Sequence, residues 1–390
     1  MKGWPTRRQL LQKTAARAGL LLLPSLTDGC SRPSIALRPW DGPPADERDP
    51  LMAALAYAVL APSPHNAQSW RVERRGPGQV DLYVDRQRLL LASDPLARQV
   101  HLGQGTFLEL LDLAARDRGF DPEIEYFPSG EYAGNAVEDR PVATVRLVPD
   151  AAIVKDSLFG FVRQRCTNKL RYDGRPLEAG MAEHLVRAGS GDGLRLRVID
   201  APDQKARLAA LARDAMAVEV AGRDRDEELA QWFRFNDREV EEKRDGFGLG
   251  HSGRTGIAKW FAETFIISRE DAKKPEGSFS KKSVALLSDQ ARSASAFGLL
   301  VSSGNTRRDQ LLAGRRYARV QLTATSVGLS IHPLSQILQE YPDMTALQKE
   351  FKEATGVADS ETAQMFFRIG HAPSTPHTPR RDVRDLFKQG

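Results

Sequence analysis

Ser63 and His65 stand two residues apart in APSPHNAQSW, Ala61 to Trp70, and a hydroxyl beside an imidazole suggests the nucleophile and base of acyl transfer. The surrounding sequence argues against that chemistry. The chain has no G-x-S-x-G elbow, and residues at i and i+2 do not by themselves make a nucleophile and its base. GLGHSG, Gly248 to Gly253, satisfies G-x-G-x-x-G, but a dinucleotide turn needs a strand before it, and DREVEEKRDG reads as a charged helix. It is expected to be a flexible loop. The seven histidines, at 65, 101, 184, 251, 332, 371 and 377, are scattered with no HExxH spacing, so no metal site is expected. His65 and His332 lack a catalytic partner in the sequence and read as structural. Cys30 and Cys166 allow at most one disulfide, and Cys166 reads as a small buried hydrophobe.

The elements that must position these residues follow from periodicity. Asp49-Pro50 supplies a cap and a first-turn proline for a buried helix, LMAALAYAVL. RVERR and VDLYVD flank GPGQ as a hairpin, HLGQGTFLELLDLAARDRG is an amphipathic helix closed by Gly119, and EIEYF and ATVRLV are strands. A second series follows: a helix from Leu158 to Arg165, the helix LEAGMAEHLVRAG, the strand LRLRVID, charged helices from 203 to 244, a core helix from Asp309 to Val327 and the strand MFFRIGHA. The fold class is therefore α+β in two halves of related plan, 49–160 and 161–390. Residues 31–48, rich in proline and charge, read as a linker, and the Gly, Ser and Lys content of 246–282 suggests a lid.

Charge and hydropathy exclude several classes. Of the formal +5, five cations against Asp28 in the first 30 residues account for four, leaving +1 for the body. That balance, without a basic stripe interleaved with aromatics, gives no footprint for nucleic acid. The opening segment, TRRQLLQ followed by the short apolar run Ala18 to Leu23, resembles a twin-arginine export signal spanning 1–30. It implies the twin-arginine machinery as a partner and a periplasmic location. LTDGC resembles a lipoprotein cleavage box, which makes a lipid anchor on Cys30 the alternative to simple release. No stretch is long and apolar enough for a transmembrane span.

Three separated segments carry the functional signal: PSPHNAQSW, RCTNK from Arg165 to Lys169, and GLSIHPLSQ from Gly328 to Gln336, with RIGHAPSTPHTPRR downstream. In this order they resemble the FMN-dependent nitroreductase superfamily, most closely its tandem, single-chain Acg-like branch, over about Asp49 to Arg381. There the motifs usually read P-S-x-H-N-x-Q-P-W, R-x-S/T-x-R/K and G-L-x-x-x-P-L-S-Q. This chain departs from them with Ser69 for the proline, Thr167 for serine and Lys169.

The resemblance implies a nitroreductase-like fold in which two tandem halves form an intramolecular pseudo-dimer around FMN. Arg165, Thr167, Arg380 and Arg381 then supply cations and a hydroxyl to the phosphate. Pro62 and Ser63 shape the first segment, while Asn66 and Gln68 offer amides to the polar edge of the flavin. Lys169 lies where a cation near N1 and O2 favours the reduced ring. Backbone groups of Leu334, Ser335 and Gln336 face the N5 edge. No side chain is implied as an obligatory acid or base.

The P-S-x-x-N segment occurs in the first half and R-x-T-x-K in the second, which implies one flavin per chain and a pocket that needs no homodimer. The expected function is an FMN oxidoreductase passing a hydride from a donor such as NAD(P)H to a small organic acceptor, a nitroaromatic or quinone. A protein that holds FMN without turnover and a flavin dehydrogenase of a specialised metabolite are the alternatives.

Overall fold

Two four-stranded antiparallel sheets repeat one plan. The first contains Trp70–Gly76 (β1), Gln79–Val84 (β2), Phe120–Tyr126 (β3) and Ala143–Pro149 (β4), in the order β1-β2-β4-β3. A nine-residue helix, Pro50–Ala58 (α1), precedes it, and a twenty-residue helix, Arg98–Asp117 (α2), joins its second and third strands. The second half has the nine-residue helix Met181–Gly189 (α3), and its sheet is built from Leu194–Ile199 (β5), Ala296–Ser302 (β8), Ser330–Pro333 (β9) and Thr362–Gly370 (β10). Its order, β5-β8-β10-β9, matches the first sheet strand for strand, and the twenty-residue Arg307–Ser326 (α8) again joins the second and third strands. The expected α+β fold in two tandem halves is what the chain adopts. The computed structural model describes residues 34–248 and 278–387. The segment read as an export signal, Cys30, the GLGHSG loop beyond Gly248 and the suggested lid from 249 to 277 lie outside them.

The repeat is concealed in the sequence by an insertion. Where β1 and β2 are joined by a two-residue turn, β5 and β8 are separated by Pro202–Ala221 (α4), Arg223–Trp232 (α5), Asp237–Lys243 (α6), the short parallel pair Phe233–Arg234 (β6) and Phe247–Gly248 (β7), and Ser278–Arg292 (α7). Asp49 caps α1 as expected, accepting from the amides of Leu51 and Met52, and Thr306 forms a capping box with Asp309 at the start of α8. The Thr345–Thr355 helix (α9) ends on Gly356 at φ +65°.

The two long helices cross in contact. Gly105 and Gly314 are each the eighth residue of their helix, and the contact is reciprocal. A Cβ on Gly105 would lie 1.9 Å from the Leu311 carbonyl oxygen, and one on Gly314 would lie 2.0 Å from that of Leu102. Backbone therefore meets backbone, and every residue from Arg98 to Ala115 of α2 is buried. The helix read as amphipathic has no solvent face because the second half covers it.

Two sequence expectations are corrected. The segment from Leu158 to Arg165 is a 3-10 turn, Ser157–Phe161, rather than a helix. Asp156 caps the turn, and the chain beyond it pairs with β9, with Thr167 bridging Ile331. Nor is the described part of 31–48 a linker: Ala36 and Trp40 are buried, and Arg38–Asp41 is an ordered 3-10 turn.

Because the crossing leaves no room for a methyl group, Gly105→Ala should destabilise the protein by about 3 kcal/mol or more. Gly103→Ala is the control, since its Cβ meets Pro64 at an ordinary 3.4 Å and should cost well under that. Urea unfolding midpoints measure both; a Gly105→Ala midpoint equal to that of the control contradicts the contact.

Candidate flavin site

The segment RCTNK runs extended beside β9, and alternation in extended backbone puts Arg165, Thr167 and Lys169 on one side. Asn168, on the other, fixes it: its amide donates to the Ile331 carbonyl (3.2 Å), and its side chain donates to the Pro373 carbonyl (2.8 Å) and accepts from Leu170 (3.0 Å). From α8, Gln321 reaches the first side. Its Oε1 accepts from Arg165 Nη1 at 3.2 Å, and its Nε2 donates to Thr167 Oγ1 and the Cys166 carbonyl, both at 3.4 Å.

Arg380 arrives from the C-terminal tail. Its guanidinium donates to Asn66 Oδ1 (2.8 Å), Thr378 Oγ1 (2.6 Å) and the carbonyls of Leu60 and Ala61 (3.2 Å each). Arg165 shares the Leu60 carbonyl, at 3.1 Å. Both arginines are 1% exposed, and among the described residues neither has a carboxylate partner. The Nε of each is buried with no hydrogen-bond partner. Burial disfavours the charge of both, and Arg165 adds its repulsion to Arg380. Two buried cations held by neutral oxygens alone are costly, and an anion between them would remove the cost.

Lys169 continues the positive line. Its ammonium lies 4.2 Å from the ring centre of Phe247, and burial pushes its pKa down to about 8. His65 and His332 flank it. Burial first, then the Lys169 charge, holds His65 down at about 4; burial, Arg368 and Lys169 hold His332 well below its usual value. Both are neutral at pH 7, which fits the structural reading of each. His332 Nδ1 accepts from Arg368 (3.1 Å), while His65 Nδ1 is buried without a partner.

The first segment is a strained connection. His65, Asn66 and Gln68 all have positive φ, at 48°, 52° and 53°, a conformation that non-glycine residues keep only when their surroundings impose it. Ser63 Oγ accepts from the Gln68 amide (3.1 Å), and the Pro62 carbonyl accepts from Thr106 of α2 (2.6 Å). The amides of Asn66 and Gln68 are committed to protein. Asn66 Nδ2 donates to the carbonyls of Gly246 (2.8 Å) and Pro379 (3.0 Å). Gln68 donates to the Arg244 carbonyl (2.9 Å) and accepts from the Arg381 amide (2.8 Å). They join three distant stretches of chain rather than standing open toward a ring edge.

Of the residues read from the sequence, Arg165, Thr167 and Arg380 converge and Lys169 extends their line. Arg381 stands apart: its guanidinium donates to the carbonyls of Gln68 (3.2 Å) and Asp385 (2.6 Å), with Asp85 at 3.7 Å. Leu334 is fully buried in the second core and its amide donates to the Phe366 carbonyl (2.8 Å), so its backbone donor is spent. Ser335 and Gln336 open the 3-10 turn Ser335–Leu338, whose first amides have no partner within the turn, and Gln336 Oε1 is buried and unpartnered. Sequence reasoning missed Gln321, Thr378, Phe247, Trp40 and His377. A lone amide on the buried face of a core helix was the available sign for Gln321.

The repeat shows what stands at the opposite end of the helix crossing. The fifteenth residue of α8 is Gln321, and the fifteenth of α2 is Asp112. Asp112 accepts from Arg116 (2.6 Å) and pairs with Arg315, which also holds Glu109 (2.7 Å); Arg319 ties Glu109 to Asp156 (2.7 Å each). A groove of about 670 Å³ there is lined by Glu109, Tyr126, Leu312, Arg315 and Arg319 among others. The guanidiniums of Arg315, Arg316 and Arg319 there are paired with carboxylates, in contrast to Arg165 and Arg380.

Lys169 gives the site a measurable signature. Its folded pKa lies below the ordinary 10.5, so the burden of burying its charge is full below about pH 8 and lifts as pH rises toward 10.5. Lys169→Met should therefore raise the stability of the ligand-free protein at pH 7 by on the order of 1–3 kcal/mol, with the gap closing near pH 10.5. Urea titrations at the two pH values measure it; coincident midpoints at pH 7 contradict the burial of a charged amine.

No protein-family model matches the chain. It is 27% identical to a Mycobacterium tuberculosis protein named "Putative NAD(P)H nitroreductase Rv3131" over 88% of this chain and 92% of that protein. It is 25% identical to another from that organism, "Putative NAD(P)H nitroreductase acg", over 87% and 95%. Among solved structures, one described as "a putative nitroreductase" from Anabaena variabilis aligns with 87% of this chain and 91% of its own at 12% identity and a TM-score of 0.43. A nitroreductase with bound FMN from Desulfitobacterium hafniense aligns with 59% and 97% at 12% identity and a TM-score of 0.34. The chain is thus similar to these curated relatives over most of its own length and of theirs.

Proposed function

We propose that the chain is an FMN-dependent oxidoreductase of nitroreductase type, with one cofactor per polypeptide. The observation that carries this reading is the pair of buried guanidiniums, Arg165 and Arg380, with unpartnered Nε atoms and, among the described residues, no acid between them. A phosphate dianion suits that donor set, and the Thr167 hydroxyl beside it completes a charge-assisted cradle. Lys169 would then supply a cation to the flavin ring, and the turn at Ser335 and Gln336 would offer it backbone amides. FMN, when bound, would supply hydride-transfer chemistry between a reduced donor and an acceptor. The protein's own residues would bind and orient it; with His65 and His332 neutral, Lys169 would be the cation among these three side chains. The name NAD(P)H nitroreductase carried by relatives supports a nicotinamide donor, and a nitroaromatic or quinone is the acceptor class we favour. We further propose export through the twin-arginine route to the periplasm, with lipid attachment at Cys30 as the variant of that proposal.

One observation favours a second reading, in which FMN is held without turnover. Asn66 and Gln68 draw residues 244–246 down onto the site, which places Phe247 against Lys169 and closes that side.

Stopped-flow absorbance under anaerobic conditions separates the two. The oxidoreductase reading predicts bleaching of the bound flavin by NADH or NADPH and recovery on addition of a quinone or nitroaromatic. Failure of both nucleotides to bleach it overturns nicotinamide-driven turnover and leaves the holding function. The double variant Arg165→Ala, Lys169→Ala should purify without flavin; a wild-type flavin content in it removes the site assignment.

A further inference from the structure

Two guanidiniums that share a carbonyl need something to hold them together without cancelling their charge. Trp40 occupies that position. It projects from the turn Arg38–Asp41, is 7% exposed, and its ring centre lies 4.9 Å from Arg380 Cζ and 5.4 Å from Arg165 Cζ. His377 stacks on the same ring at 3.9 Å with an interplanar angle of 10°. The indole is locked in place, because its Nε1 donates to the Thr378 carbonyl at 2.8 Å. Its strand of chain is tied at two further points. Arg380 donates its amide to the Ala36 carbonyl (2.8 Å), and the amides of Ile35 and Ala36 donate to Glu241 (2.9 and 3.3 Å).

An aromatic face attracts cations through its quadrupole, and a desolvated Arg–Trp contact is among the stronger of this kind. A carboxylate placed there would bind the same arginines more tightly, but it would neutralise them and repel a phosphate. That is the arrangement at Asp112 and Glu109, where Arg315 and Arg319 are saturated. The indole keeps the pair dry and oriented while leaving both positive charges available.

We propose that Trp40 is a cofactor-positioning residue, holding the Arg165 and Arg380 guanidiniums for the flavin phosphate without neutralising them. This rests on the reading of the arginine pair as the phosphate site. Its consequence is specific: affinity for the phosphate depends on Trp40, and affinity for the ring does not.

The test is the dissociation constant of the flavin-stripped full chain for FMN and for riboflavin, read from quenching of flavin fluorescence. The wild type should bind FMN roughly 100-fold or more tightly than riboflavin, as two charge-assisted contacts to one dianion imply. Trp40→Leu should lose roughly tenfold of that preference while its riboflavin constant stays within a factor of about three, and Trp40→Phe should keep most of it. Far-ultraviolet circular dichroism and the riboflavin constant establish that each variant is folded. A wild type that prefers FMN beside a Trp40→Leu that keeps the whole preference overturns the role of Trp40. Equal weakening of both ligands also overturns it, since a merely structural residue would act in that way. A wild type that does not distinguish FMN from riboflavin removes the phosphate site itself.

Discussion

The contact between Gly105 and Gly314 is the constraint on which the rest depends. With no side chain between them, α2 and α8 touch backbone to backbone, and that closeness fixes how one half meets the other. The site is assembled across this crossing: α2 presents Gly103 and Thr106 to the strained segment from Pro62 to Gln68, and α8 presents Gln321 to Arg165 and Thr167. A shift of even one methyl at the crossing would move these two groups relative to each other. Stability and ligand geometry are thus set by the same pair of glycines.

The two ends of the crossing use the same scaffold for opposite electrostatics. At one end an uncharged amide, Gln321, accepts from Arg165, which like Arg380 has no carboxylate partner among the described residues, and the protein tolerates buried positive charge and left-handed backbone at His65, Asn66 and Gln68. At the other, Asp112 and Glu109 meet Arg315 and Arg319, and charge is balanced internally. Costs of the first kind persist in folded proteins where a ligand or a chemical task offsets them. Balanced ion pairs of the second kind ask for no ligand. A tandem chain can therefore keep one binding site and convert its counterpart into a brace.

Much of this was legible in the sequence, and the remainder was hidden for definite reasons. The family motif that R-x-T-x-K resembles named Arg165, Thr167 and Lys169 together, and alternation in extended backbone is what places them on one side. The same alternation separates Arg380 from Arg381, but the sequence alone does not say which of two adjacent arginines turns inward. Asn66 and Gln68 were visible as amides; which carbonyls would saturate them depends on Arg244, Gly246 and Pro379, more than 170 positions away. Trp40 was concealed by its setting in a proline-rich stretch with no periodicity, although a tryptophan there signals burial. The related plan of the two halves was legible, but their strand-for-strand match was concealed by the helices inserted between β5 and β8, since strand order is kept in space and not in spacing.

The central claim is an asymmetry between two halves of one plan, and the amount of flavin a chain can hold measures it directly. The flavin released from protein saturated with FMN, divided by the polypeptide determined by amino-acid analysis, should approach one. A ratio approaching two would mean that the braced groove also binds flavin. Either that result or no retained flavin at saturation would contradict the account.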